Sequence, residues 1–232
     1  MCNQFDSLMF IGHYAVAMAG KKPAPAVSLG TLFIAAQFLD LIWPIFLLMG
    51  IESVKIVPGL TAVTPLDLRD YPYSHSLLAA VLWSGLFGGL HYAFKHNGKS
   101  ALILAAVVFS HWVLDFVTHI PDMPLYPGST TYVGLGLWNS VAGTMIVEGL
   151  LFLAAVVVYV RTTRARDRIG VYAFWTLIAL LAVIYFANLF GPPPPDTTTL
   201  AVSALGLWLF VPWAYWIDRH RPVKQNMESG AR

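Results

Sequence analysis

Along this chain, long apolar runs alternate with short polar breaks. Seven apolar segments can be marked, over roughly 8–20, 26–49, 76–94, 100–119, 134–160, 170–190 and 198–217. A helix needs about 20 mostly apolar residues to cross roughly 30 Å of hydrocarbon, and six of the segments meet that need. The first is shorter and interrupted by Gly12 and His13, which suits a tilted, half-inserted or re-entrant helix. None of the runs alternates with a period of two. The pattern therefore predicts an all-α, polytopic transmembrane helix bundle of seven segments.

The breaks differ in kind. Loops 21–25, 95–99 and 161–169, together with the tail that ends in Arg232, hold twelve of the fourteen Lys and Arg residues. The alternate loops hold only Lys55 and Arg69. Basic loops stay cytoplasmic, so the pattern predicts an outer N-terminus and an inner C-terminus, with the first segment crossing like the others. The outer loops 51–74 and 120–133 mix Pro, Asp and Tyr, as interfacial loops with an aromatic belt do. The run GPPPPD at 191–196 predicts a stiff, extended turn.

Composition agrees with this picture. The chain has 232 residues, 57% hydrophobic and 11% charged, where a soluble domain carries about 25% charged residues. No polar stretch is long enough for a second domain, so residues 1–232 read as one integral membrane domain. A polar-studded half covers 8–125, supporting helices cover 134–217, and a tail covers 218–232. A net charge of +2 gives no reason to expect a nucleic-acid partner. The single cysteine, Cys2, allows no internal disulfide. The start MCNQFDS lacks the basic residues of a secretory signal.

What changes the picture is the polar residues inside the apolar runs. The stretch SHWVLDFVTHIPD at 110–122 sets His111, Asp115 and His119 four residues apart, with Asp122 just beyond. A step of four residues turns a helix about 40° past a full circle and rises about 6 Å, so the three side chains form one narrow stripe. Other segments bring similar residues to similar depth: His13 on the first, Asp40 with Gln37 on the second, His75 at the start of the third, and Glu148 with Asn139 on the fifth. A lone carboxylate at the bilayer centre costs about 2.5–3.5 kcal/mol on insertion scales. Facing inward with histidines, Asp40 and Asp115 can be compensated by a cation. His13, Asp40, His75, His111, Asp115 and His119 are the candidate metal ligands, and the donor set suits zinc first and manganese second. Glu148 and Asp122 are the candidate general bases. Trp43, Trp83, Trp112 and Trp138 read as packing or interfacial anchors, and His91, His96 and His220 as surface residues.

These residues form an ordered pattern: His13 in IGHYAVA, Asp40 in LGTLFIAAQFLDLIWP, His75 in YSHSLL, and His111 with Asp115 in FSHWVLDFVTH. In this the chain resembles the YdjM-like family of bacterial inner-membrane proteins over roughly residues 10–125. The family shows an early His, a Pro-Asp pair, a Thr-His-Ser triplet and a Ser-His-x-x-x-Asp helix. The resemblance implies a metal-dependent hydrolase in the inner membrane. There are departures: Leu39 stands for the Pro, Ile42 for a second Asp, Ser74 for the Thr, and Tyr71 where an Arg is expected. The lost carboxylate implies one metal rather than two, or a replacement by Glu148, His119 or Asp122.

Two classes of function fit. One is a membrane-embedded metal-dependent hydrolase acting on a lipid or lipid-linked ester or phosphoester at the outer face, with membrane lipids as its surroundings. No Gly-x-Ser-x-Gly motif points to a serine hydrolase. The other is a cation or proton transporter or channel, since intramembrane acids and histidines also mark ion paths. A structural metal in a non-catalytic membrane protein is the third expectation. Oligomeric state is not legible.

Overall fold

A computed structural model of the chain describes residues 11–224; Cys2, the rest of the N-terminal ten residues and Arg232 lie outside them. The helices are α1 (Ile11–Gly20), α2 (Leu29–Ala36), α3 (Phe38–Leu48), α4 (Leu77–Lys95), α5 (Gly98–Thr118), α6 (Val141–Thr162), α7 (Arg168–Phe190), α8 (Thr197–Ala204) and α9 (Phe210–His220). A 3-10 turn, Leu205–Leu209, joins α8 to α9. Two hairpins interrupt the helices: β1 (Ser53–Ile56) pairs antiparallel with β2 (Leu66–Asp70), and β3 (Met123–Pro124) with β4 (Tyr132–Val133).

Among the described residues, five stretches are long and apolar enough to cross a membrane: α4, α5, α6, α7 and the α8–α9 unit from Thr197 to His220. The α2–α3 pair makes a sixth if counted as one span, bent by 56° at its break. The all-α bundle is thus as the apolar pattern predicts, but the first segment differs. The described part of α1 begins at Ile11. Eight of its residues are buried, and it packs against α6, α2 and α5. It is an internal helix of the bundle rather than a lipid-facing span.

The second segment is divided at Gln37, which leaves helical geometry at φ −100°, ψ 8°. Pro44 then removes the donor that would serve the Asp40 carbonyl inside α3. A helix broken within the membrane frees backbone groups that must be satisfied by neighbours or a ligand. Here the freed carbonyl of Ala36 accepts a hydrogen bond from His111 Nδ1 at 2.7 Å.

The two ends of the bundle differ. At one end Lys21 pairs with Asp218 at 2.7 Å, Thr163 bridges Val223, and Arg166 N donates to the His220 carbonyl. A cavity joining Val27, His91, Lys95 and Tyr215 shows that the 95–99 loop belongs to the same end. The basic loops therefore gather, as their alternation predicts. The opposite end carries the two hairpins, joined through β2 and β3; Leu78 N of α4 donates to the Leu125 carbonyl and ties the second hairpin to that helix. Buried Val54, Leu66 and Leu68 turn the first hairpin's apolar side onto the bundle, where the sequence pattern showed only an interfacial loop.

Candidate metal centre

Four helices converge under the β1–β2 hairpin. α1 brings His13, the first turn of α3 brings Asp40, the turn before α4 brings His75, and α5 brings His111 and Asp115. His13 Nε2 lies 3.2 Å from Asp115 Oδ1, and His111 Nε2 lies 3.2 Å from Asp115 Oδ2. His75 Nε2 and His111 Nε2 lie 3.4 and 3.6 Å from Asp40 Oδ1. His75 Nε2 stands 3.9 Å from Asp115 Oδ2. The donor atoms form two groups, His13–His111–Asp115 and Asp40–His75–His111, within each of which they lie within 4.8 Å of one another. All five side chains are buried.

The histidine nitrogens show what the cluster lacks. His111 Nδ1 donates to the Ala36 carbonyl, so in the neutral imidazole Nε2 is the lone-pair nitrogen; Nε2 has no hydrogen-bond partner. His75 is fixed by a longer chain. Glu52 Oε1 accepts from Tyr73 N at 2.7 Å and Ser74 N at 2.8 Å, and Oε2 accepts from Ser74 Oγ at 2.7 Å. Having given its proton to Glu52, the Ser74 hydroxyl accepts from His75 Nδ1 at 2.7 Å. Two imidazole lone pairs thus point at two carboxylates, an arrangement repulsive without a positive charge among them. Donors about 2.0–2.1 Å from a tetrahedral ion lie roughly 3.3–3.4 Å apart, close to the short separations seen here. The residues fit a divalent cation.

The remaining predicted residues fall elsewhere. His119 caps the C-terminus of α5, and its Nδ1 meets Asp122 Oδ1 at 3.0 Å and the Tyr71 hydroxyl at 3.1 Å. It belongs to neither donor group, since the stripe ends where α5 ends. His119 and Tyr71 instead line, with Trp43 and Leu68, a cavity of about 10 Å³ over the cluster, room for about one water. Burial, and next the charges of Asp122 and Asp115, push the Tyr71 phenol well above its usual range, so it keeps its proton. Glu148 is buried on α6 near Tyr185 and joins neither donor group. α6 packs chiefly on α1, the helix that carries His13.

Several site residues carried no signal in the sequence. Glu52 is a lone acid in a polar break. Trp43 and Trp138, which read as anchors, are fully buried beside the site: Trp43 is edge-on to His75, and Trp138 packs 4.1 Å from His119. The end of α5 is held by residues 134–136. A Cβ on Gly134, at φ +157°, would run into the Ile120 carbonyl oxygen, and only glycine tolerates both that conformation and that approach.

The family model described as YdjM inner membrane protein matches residues 9–191. No curated protein and no solved structure matches the chain.

Proposed function

The chain belongs to the YdjM inner membrane protein family, and from that premise we propose a membrane-embedded, metal-dependent hydrolase of the bacterial inner membrane that acts on a lipid or lipid-linked ester or phosphoester. The observation that carries this reading is the set of imidazole lone pairs aimed at Asp40 and Asp115 from separate helices. His13, Asp40, His75, His111 and Asp115 would hold the ion. His111 Nε2 is common to both donor groups, and one lone pair serves one ion, which favours a mononuclear centre. Three histidines with two carboxylates suit zinc before manganese.

When bound, such an ion supplies a Lewis acid that brings a coordinated water to a pKa near 7 and polarises the scissile group. The chain's own residues do the rest. His119, its Nδ1 held by Asp122, takes a proton from the attacking water and returns it to the leaving group. Asp122 acts through His119 and stabilises the imidazolium. Trp43, Leu68 and the hairpin keep bulk water from the cavity. The site opens at the end opposite the basic loops, which the positive-inside rule assigns to the outer face.

A cation or proton path is the competing reading. Toward the basic end, however, the core beside the cluster is filled by buried Leu32, Leu104, Val107 and Val108, and this packing favours a closed site. The test is ester hydrolysis by zinc-loaded protein in lipid nanodiscs. His119→Ala keeps its metal but loses turnover by roughly 10²–10⁴-fold, while His111→Ala loses both. Turnover unchanged in His111→Ala contradicts the reading.

A further inference from the structure

We propose that the fissure between α7 and the α8–α9 span binds the hydrocarbon chain of the substrate, an uncharged lipid acyl ester whose head reaches the cluster past Asp40. This rests on the hydrolase reading above and gives it a substrate class.

Asp40 belongs to two cavities at once. One is the small cavity over the cluster. The other, of about 480 Å³, runs past Leu180 and Ile184 on α7, Leu200 on α8, Leu207 in the 3-10 turn and Trp213 on α9. The Asp40 side chain is 12% exposed, against 5% or less for the other four candidate ligands. The fissure therefore reaches the cluster from the side, at its least covered member.

Its shape is built by the chain. The span from Thr197 to His220 is interrupted by the 3-10 turn, which Trp208 Nε1 pins to the Leu41 carbonyl at 3.1 Å, one residue from Asp40. At Gly206, which lines the fissure, a Cβ would meet nothing within 4 Å, so the missing side chain leaves open space. An apolar opening in the side of a membrane bundle is filled by hydrocarbon, since lipid tails are what surrounds it.

Charge narrows the head. Among the described residues no Lys or Arg lines either cavity. Asp40 and Asp115 together balance one divalent ion, and no cation is left for a phosphate. A neutral ester fits: the water oxygen bonds to the acyl carbon, the acyl C–O bond breaks, and the water's proton passes through His119 to the departing alcohol. The products are a fatty acid and an alcohol, with no further reactant.

The experiment is photolabelling in nanodiscs with a monoacylglycerol carrying a diazirine in its acyl chain, beside the phosphate monoester of the same chain. The neutral probe labels α7 and α8–α9 peptides, and the phosphate probe labels them severalfold less. Gly206→Phe and, separately, Ser203→Trp lose this labelling while metal content stays at the wild-type level. His111→Ala loses metal but keeps the labelling, so failure of the hydrolase reading and failure of the chain site are distinguishable. Labelling that is unchanged in both plugged variants, or spread evenly over the lipid-facing sides of α4 and α6, overturns the proposal. Equal labelling by the phosphate probe overturns the uncharged head.

Discussion

One glutamate decides which nitrogen of His75 faces the cluster. Glu52 takes the proton of the Ser74 hydroxyl, so Ser74 can only accept from His75 Nδ1, and the Nε2 lone pair is left for an ion. Outer partners of this kind are worth about 10–100-fold in metal affinity. Ser74→Ala is expected to weaken zinc binding by about that factor, and Ser74→Thr, which keeps the hydroxyl, to restore it; competition with a chromophoric chelator measures both. A Ser74→Ala protein that binds zinc like wild type removes the relay from the account. None of this is legible in the sequence, because Glu52 is brought to Ser74 by the β1–β2 hairpin and stands 22 positions away. His111 and Asp115 are different: their spacing of four on one helix declares their meeting, and they meet at 3.2 Å.

Among the described elements, α4 and α5 make the most extensive contact; the turn before α4 carries His75, and α5 carries His111 and Asp115. Their approach depends on Gly88, where a Cβ would stand 2.9 Å from the Ala101 carbonyl oxygen. Gly88→Leu should destabilise the protein by about 1–3 kcal/mol through overpacking, read as a lower thermal midpoint in detergent. Gly89→Leu, on the same helix but meeting nothing within 4 Å, should leave the midpoint unchanged. Equal effects from the two would show that the α4–α5 contact is not tight. The long spans were legible because about 20 apolar residues leave few alternatives in a membrane. The role of α1 was not: an apolar helix looks alike whether it faces lipid or protein, and only its neighbours α2, α5 and α6 settle the matter. The division of α2 from α3 at Gln37 escaped for a related reason. Glutamine is no helix breaker, and the break is stabilised by a distant partner, His111 on the Ala36 carbonyl.

For the whole molecule, the ion would tie α1, α3, α4 and α5 to one point, so binding and folding are linked. Zinc at 100 times its dissociation constant should add about 2.7 kcal/mol to stability, raising the thermal midpoint of wild type but not of Asp115→Asn. The ligating histidines must be neutral and the carboxylates ionised, so binding releases protons and affinity falls as the pH is lowered. The gathering of these residues at the end opposite the basic loops was foreshadowed by the alternation of Lys and Arg, which uses none of them. That His119 joins neither donor group was not foreshadowed, since it depends on where α5 ends. The most direct measurement is the metal content of protein purified without chelators, wild type beside His111→Ala and Asp115→Asn. The account predicts a single divalent ion per wild-type chain and its loss from both variants. Negligible metal in all three after zinc loading, or equal metal in all three, would contradict it.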